Sequence, residues 1–320
     1  MKNQVLKIVK TFFSLVAIEA LCHLVAISAL ASNFCVVNKS RIIDQAGRSI
    51  SVEKPFKRII SLYGAHTENL FALGLEKEII GVSRNEAFPE KAKTKPVFSY
   101  HDDPEKFLAA CPDLVLIRPM IDRGYPQLMA RLEKSKIKVI SLQPATVDEM
   151  FNYWKILGIL TGKQNEASDM TRHFKKRVSF IKSRTRDLTF KKKAYFEAIH
   201  KRMKTFSPDS MAIFALETAG GINIAIDAKP IRKTNIAAYG KERILSHAAE
   251  IDVYLAQNGA MNCPTISLIK NETGFRLIKA VREDQVYIID EMIVSRPTLR
   301  LLKGIQEIGK ILYPEIFIEN

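Results

Sequence analysis

The sequence predicts an α/β protein of two lobes, each with a mostly parallel sheet, bridged by a single long helix. Three observations predict it. Short apolar runs of strand length alternate with helical segments, the pattern of parallel sheets covered on both faces. An acid-first helix leading into a buried strand occurs twice, at Glu105 before residues 113–117 and at Glu242 before 252–255, 137 positions apart. Between these halves lies a 40-residue stretch, 146–185, whose helical periodicity carries on past its one candidate break.

The elements follow in order. Lys2, Lys7 and Lys10 precede an apolar run over 11–30, and Ala29-Leu30-Ala31 has the form of an A-x-A cleavage site. This predicts a signal peptide over 1–31, cut after Ala31. The alternative is an uncleaved membrane anchor, since the run is about 20 residues long. Glu19 and His23 within it weigh against a span, because charge at bilayer depth is costly. Ser32-Asn33-Phe34 ahead of Cys35 fits a lipobox poorly.

Residues 32–145 read as the first lobe, with 32–57 a short entry segment. Strands are expected at 58–62, 78–82, 113–117 and 138–142, and helices at 67–73 and 125–134. Asp103, Pro104 and Glu105 supply an N-cap, a first-position proline and a first-turn acid for another helix. The connecting segment, 146–185, opens on the capping box Thr146-Val147-Asp148-Glu149. Apolar positions then recur from Met150 through Trp154 and Leu160 to Phe174 and Ile181. Gly162 is the one candidate break; a continuous helix would span about 60 Å, the length of a bridge between lobes. Residues 186–320 form the second lobe, with strands at 194–199, 252–256 and 285–289 and a terminal helix over 297–312.

Composition narrows the function. The net charge is +15, with 47% hydrophobic and 26% charged residues. Removing 1–31 takes away three Lys and one Glu and leaves +13. The basic residues are spread along the chain, and Lys191-Lys192-Lys193 lacks aromatic interleaving, so nucleic acid is not the expected partner. Cys35, Cys111 and Cys263 would remain, enough for one disulfide and one free thiol; without a C-x-x-C pair no structural zinc site is expected. G-x-S-x-G, Walker and G-x-G-x-x-G patterns are absent, and Asp102, Asp103 and Glu149 read as helix caps, so no catalytic residues are assigned.

Four segments carry a resemblance. They are RIISLYGAHTENLFALGL at 58–75, IGVS at 80–83, EKFLAACPDLV at 105–115 and KIKVI at 136–140. Together they resemble the periplasmic iron-siderophore and vitamin B12 binding proteins of ABC importers, the class whose lobes are joined by one rigid helix. The similarity runs over roughly 56–315 and is stronger in the first lobe. It implies a non-enzymatic, monomeric carrier without a cofactor. Such a carrier captures an iron chelate, haem or corrinoid between its lobes and hands it to a permease and its ATPase. It further implies that Glu105 and Glu242 dock onto arginines of the permease; as isolated residues both read simply as helix caps.

The ligand is then expected in the inter-lobe cleft, on loops following strands. The candidates are Tyr63, His66, Arg84, Tyr100, His101 and Arg118 from the first lobe and Thr218, Met261 and Arg296 from the second. Aromatic side chains offer flat apolar contact, and Arg pairs with carboxylate or catecholate oxygens. His66 and His101 are also candidate metal or haem ligands, although no third ligand is evident, and no metal site is assigned. The sequence departs from vitamin B12 binders where a tryptophan is expected after the third strand; Tyr100 stands near that position, while Trp154 reads as packing. The alternative of another class is a chelatase-like enzyme inserting metal into a tetrapyrrole.

Overall fold

The computed structural model describes residues 35–38, 41–231 and 234–318; the expected signal peptide lies outside them. The entry segment is more than a lead-in. Strands β1 (Cys35–Asn38), β2 (Arg41–Ile43) and β3 (Ser49–Ser51) form an antiparallel sheet. Asp44, buried at its turn, accepts from the backbone N–H of Ala46, Arg48 and Ser141. Arg48 pairs with Asp44, Asp122 and Glu133, which fastens this sheet to the first lobe.

The first-lobe sheet has the order β6-β5-β4-β7-β8, all parallel. Its strands are β4 (Ile59–Ser61), β5 (Ile79–Ser83), β6 (Val97–Phe98), β7 (Leu114–Ile117) and β8 (Lys138–Ser141). The chain winds outward one way from β4 to β6 and the other way from β7 to β8. The switch point therefore falls between β4 and β7, where open α/β sheets place their ligands. Four helices surround the sheet: α1 (Gly64–Ala72), α2 (Pro104–Ala109), α3 (Pro119–Gly124) and α4 (Pro126–Lys134). The three start signals read near Glu105 are realised, with the Asp103 carboxylate accepting from the Glu105 N–H at 2.8 Å.

The connecting segment corrects the expectation of one continuous helix over 146–185. It is two helices, α5 (Val147–Thr161) and α6 (Gln164–Thr185). Phe151 and Phe174 meet at 5.7 Å between ring centroids, which a straight helix would hold about 35 Å apart. Gly162, at φ +70°, turns the chain back, and Gly158 packs against Ala167 across the hairpin. Helical periodicity survives the turn because both helices bury their apolar faces in the same core, Trp154 from one and Phe174 from the other. The bridge is α6 alone. Its 22 residues, about 33 Å, start beside α5 on the first lobe and end at Thr185, packed on Gly220 of the second.

Gly162 carries a testable load. A Cβ there would lie 2.7 Å from Pro55 Cγ in a left-handed conformation. Gly162→Ala is expected to cost about 1–2 kcal/mol, read as a lower denaturant midpoint.

The second-lobe sheet is mixed, with a parallel centre and an antiparallel extension. Strands β9 (Lys193–Ile199), β14 (Val253–Asn258) and β15 (Val286–Asp290) are parallel. Strands β10 (Lys204–Phe206), β12 (Lys229–Pro230) and β13 (Ile236–Ala238) extend the sheet antiparallel, and β11 (Ile222–Asn223) pairs with the start of β9. Around them lie α7 (Met211–Thr218), α8 (Lys241–Ser246), α9 (Ile266–Lys270), α10 (Lys279–Arg282), α11 (Glu291–Val294) and α12 (Leu301–Leu312). Among the described residues no helix is long and apolar enough to cross a membrane.

A cleft between two sheet edges

The segments that follow β4, β7 and β8 line one cleft. Tyr63 follows β4 and Arg118 follows β7, so the two sides of the switch point meet. The Arg118 guanidinium lies 4.7 Å from the Tyr63 ring centroid. Arg118 Nε is buried without a hydrogen-bond partner. Burial pushes the Tyr63 hydroxyl above its ordinary range, opposed by the positive charges of Arg118 and Arg296.

Arg296 arrives from the second lobe, just past α11. Its guanidinium lies against Gly64, where any side chain would collide: a Cβ would sit 2.4 Å from Nη1. Glu86, after β5, faces the same region. Burial raises its pKa, while hydrogen bonds from the Ser83 hydroxyl and N–H and the nearby Arg296 oppose the rise. The cavity beside Tyr63 is ≈ 310 Å³ and joins both lobes. Its wall includes Gln45, Arg123 and Gln143 from the first lobe and Thr234, Asn235 and Ser295 from the second.

Tyr100 and His101 follow β6 and are not among the residues that line this cavity. With Tyr125 they form an aromatic group whose centroids are 4.5–5.1 Å apart, and Tyr125 Oη lies 3.0 Å from His101 Nδ1. Arg84 is exposed after β5 and helps, behind the Lys106 hydrogen bond, to hold the Asp102 carboxyl low. Met261 is 60% exposed on the turn that follows β14. That turn is anchored by Asn262, whose amide donates to Glu197 and to the Gln257 carbonyl.

Two candidates are corrected. His66 is fully buried: helix α1 begins at Gly64, earlier than its loop-like sequence suggests, and turns His66 inward. Its Nε2–H donates to the Ile117 carbonyl at 3.1 Å, so Nδ1 accepts from the Tyr153 hydroxyl at 2.6 Å. No ring nitrogen remains for a metal, haem or other ligand. Thr218 is buried at the end of α7, beside Ile222, which pairs with Lys193 at the amino edge of β9, away from the cleft. Among the described residues no three His, Cys, Asp or Glu side chains converge as a metal site would require. Cys111 and Cys263 are exposed and form no disulfide.

The buried imidazole gives a pH signature. Desolvation, the largest influence, lowers His66 from 6.5 to about 4. A base depressed by folding stabilises above its unfolded pKa, and that stability is lost as pH falls through 6.5 towards 4. The His66 ring is expected to stay neutral at pH 5 by NMR, and His66→Gln to flatten the acid limb of the stability curve. A ring titrating near 6.5 would contradict the burial.

Each predicted docking acid lies in the first turn of a six-residue helix. Glu105 opens α2 with its side chain 68% exposed, held by the surface Arg131 at 2.8 Å. Glu242 is exposed in the first turn of α8.

Comparison with known proteins agrees with this architecture. An ABC transporter substrate-binding lipoprotein of Bacillus subtilis is 23% identical over 283 residues, 87% of each chain. The vitamin B12-binding protein of Vibrio cholerae is 24% identical over 261 residues, 80% of this chain and 89% of that one. The crystal structure of a possible iron-binding, periplasmic solute-binding protein from Staphylococcus epidermidis superposes with a TM-score of 0.71 at 26% identity, covering 81% of this chain and 100% of the other. Residues 59–292, from β4 of the first lobe to α11 of the second, match the periplasmic binding protein family, and the chain belongs to that family.

Proposed function

We propose that the chain is the extracytoplasmic solute-binding component of an ABC import system, capturing an iron chelate, haem or corrinoid between its lobes and delivering it to a membrane permease and its ATPase. The observation that carries this reading is the meeting of Tyr63 and Arg118 at the first-lobe switch point with Arg296 from the second lobe. Two guanidiniums beside an aromatic ring suit a flat chelate that presents carboxylate or catecholate oxygens. Tyr100, His101 and Arg84 would extend contact along the rim, with Met261 opposite. Glu105 and Glu242 would orient the loaded carrier on the permease. The protein would act as an exported monomer, freed by cleavage after Ala31 or held by the uncleaved N-terminal run. N-terminal sequencing of the exported chain separates these two forms.

A chelatase would present histidines to a tetrapyrrole, and the withdrawal of His66 into the core counts against that reading. The test is a thermal-stability screen of siderophores, haem, corrinoids and free metals. A ligand of this class should raise the melting temperature, and Arg118→Ala with Arg296→Ala should remove the rise. No response to any of them, alongside turnover of some substrate, would sink the proposal.

A further inference from the structure

The bridging helix carries more charge than bridging requires. From Arg172 to Lys193 the sequence has ten Lys and Arg against one acid, Asp187. Only two of these cations take a carboxylate partner among the described residues, Arg172 with Asp169 and Lys193 with Glu250. Apolar side chains stand exposed among the rest. Phe180 is 51% and Phe190 65% exposed, and Ile318, packed beside the helix, is 66% exposed. Arg177 and Arg184 lie over the Phe180 ring at 5.5 and 6.0 Å from its centroid.

A solvated helix face ordinarily mixes the two signs, whereas a face with one acid among ten cations repels itself unless an anionic surface meets it. A soluble polyanion would satisfy the charges but gives no reason to expose Phe180, Phe190 and Ile318. Cations surrounding projecting apolar side chains match a bilayer interface instead. There the charges meet anionic headgroups and the rings enter the acyl boundary. The apolar N-terminal run, read as a signal peptide or an anchor, would bring the chain to a membrane.

We propose that the outer face of α6 and the segment after it, centred on Lys176, Phe180, Arg184, Arg186 and Phe190, is a docking surface for anionic phospholipid. None of these residues lines the cleft, and the face lies on different elements from Glu105 and Glu242. Lipid contact would therefore hold the carrier at the membrane without occupying its ligand site or its predicted permease contacts.

The full chain carrying Phe180→Trp reports on the face directly, because the native Trp154 is fully buried and contributes a constant background. Vesicles of phosphatidylglycerol and phosphatidylcholine should shift the reporter emission to the blue, and pure phosphatidylcholine should not. Adding Lys176→Gln, Arg184→Gln and Arg186→Gln should weaken the response on the order of a hundredfold. Molar salt should suppress it in the parent. Phe190→Trp repeats the measurement at the other end of the face, should the first reporter disturb the fold. No shift at either position, or an equal shift with neutral vesicles, would overturn the proposal. So would an unchanged response in the glutamine variant.

Discussion

Cells relying on a carrier with Glu105→Arg and Glu242→Arg are expected to lose solute uptake by a hundredfold or more, while the purified protein keeps its solute affinity within about twofold. The magnitude follows from interfaces in which a close charge pair is replaced by repulsion, at about 2–5 kcal/mol per contact. Stability should barely move. Each carboxylate sits in the first turn of a six-residue helix, where the helix dipole contributes about 0.3–1 kcal/mol. The Glu105–Arg131 pair joins side chains 68% and 47% exposed, and such pairs contribute about 0–1 kcal/mol. Arg131 can thus surrender its partner to a permease arginine at little cost. Two contacts on separate lobes would fix orientation as well as affinity, so the single variants should each be partly active. Unchanged uptake in the double variant would remove the docking role. Lost solute affinity would return both residues to the status of structural caps.

Much of this was legible in the sequence, and the exceptions share a physical cause. The strand positions follow from short apolar runs, and the Asp103-Pro104-Glu105 signals gave α2 its start; the strand order and the switch point come from the pairing. Periodicity, however, reports only which face of a helix is buried. It reads the same through Gly162 whether the chain runs straight or doubles back, because Phe151 and Phe174 enter one core. His66 looked like a loop residue beside Tyr63, yet one turn of helix separates the cleft from the core. The entry sheet was missed because its anchor, Arg48, reaches acids 74 and 85 residues away. Gln143, Arg123 and Asn235 line the cleft without any motif. They are polar loop residues whose meaning is set only by the opposing lobe.

The lobes are also joined by a second device, and breaking it should have the largest effect on stability. Arg300, at the start of α12, forms two parallel hydrogen bonds to the Glu68 carboxylate on α1, at 2.8 and 2.7 Å. Glu68 is only 5% exposed at its side chain. Two further bonds pin the same segment: Asn69 Nδ2 and Trp154 Nε1 both donate to the Pro297 carbonyl, at 2.9 and 3.2 Å. Arg300→Ala would strand a buried carboxylate, at a cost of about 3–5 kcal/mol. For a protein of this size that corresponds to a melting temperature lower by roughly 6–12 °C. Replacing both partners, Glu68→Leu with Arg300→Leu, should recover most of the loss, because an apolar pair leaves no charge unpaired. A cost below about 1 kcal/mol for Arg300→Ala would mean that water already reaches the pair. The clamp and α6 together explain why lobe motion should be small. Gly64, which admits Arg296 to the cleft, and Glu68 lie one turn apart on α1, so the contact that holds the lobes also sets the distance at which Arg296 meets Tyr63. Arg300→Ala should therefore weaken ligand binding as well as folding, and the paired leucine variant, which restores stability without restoring the hydrogen bonds, separates the two effects.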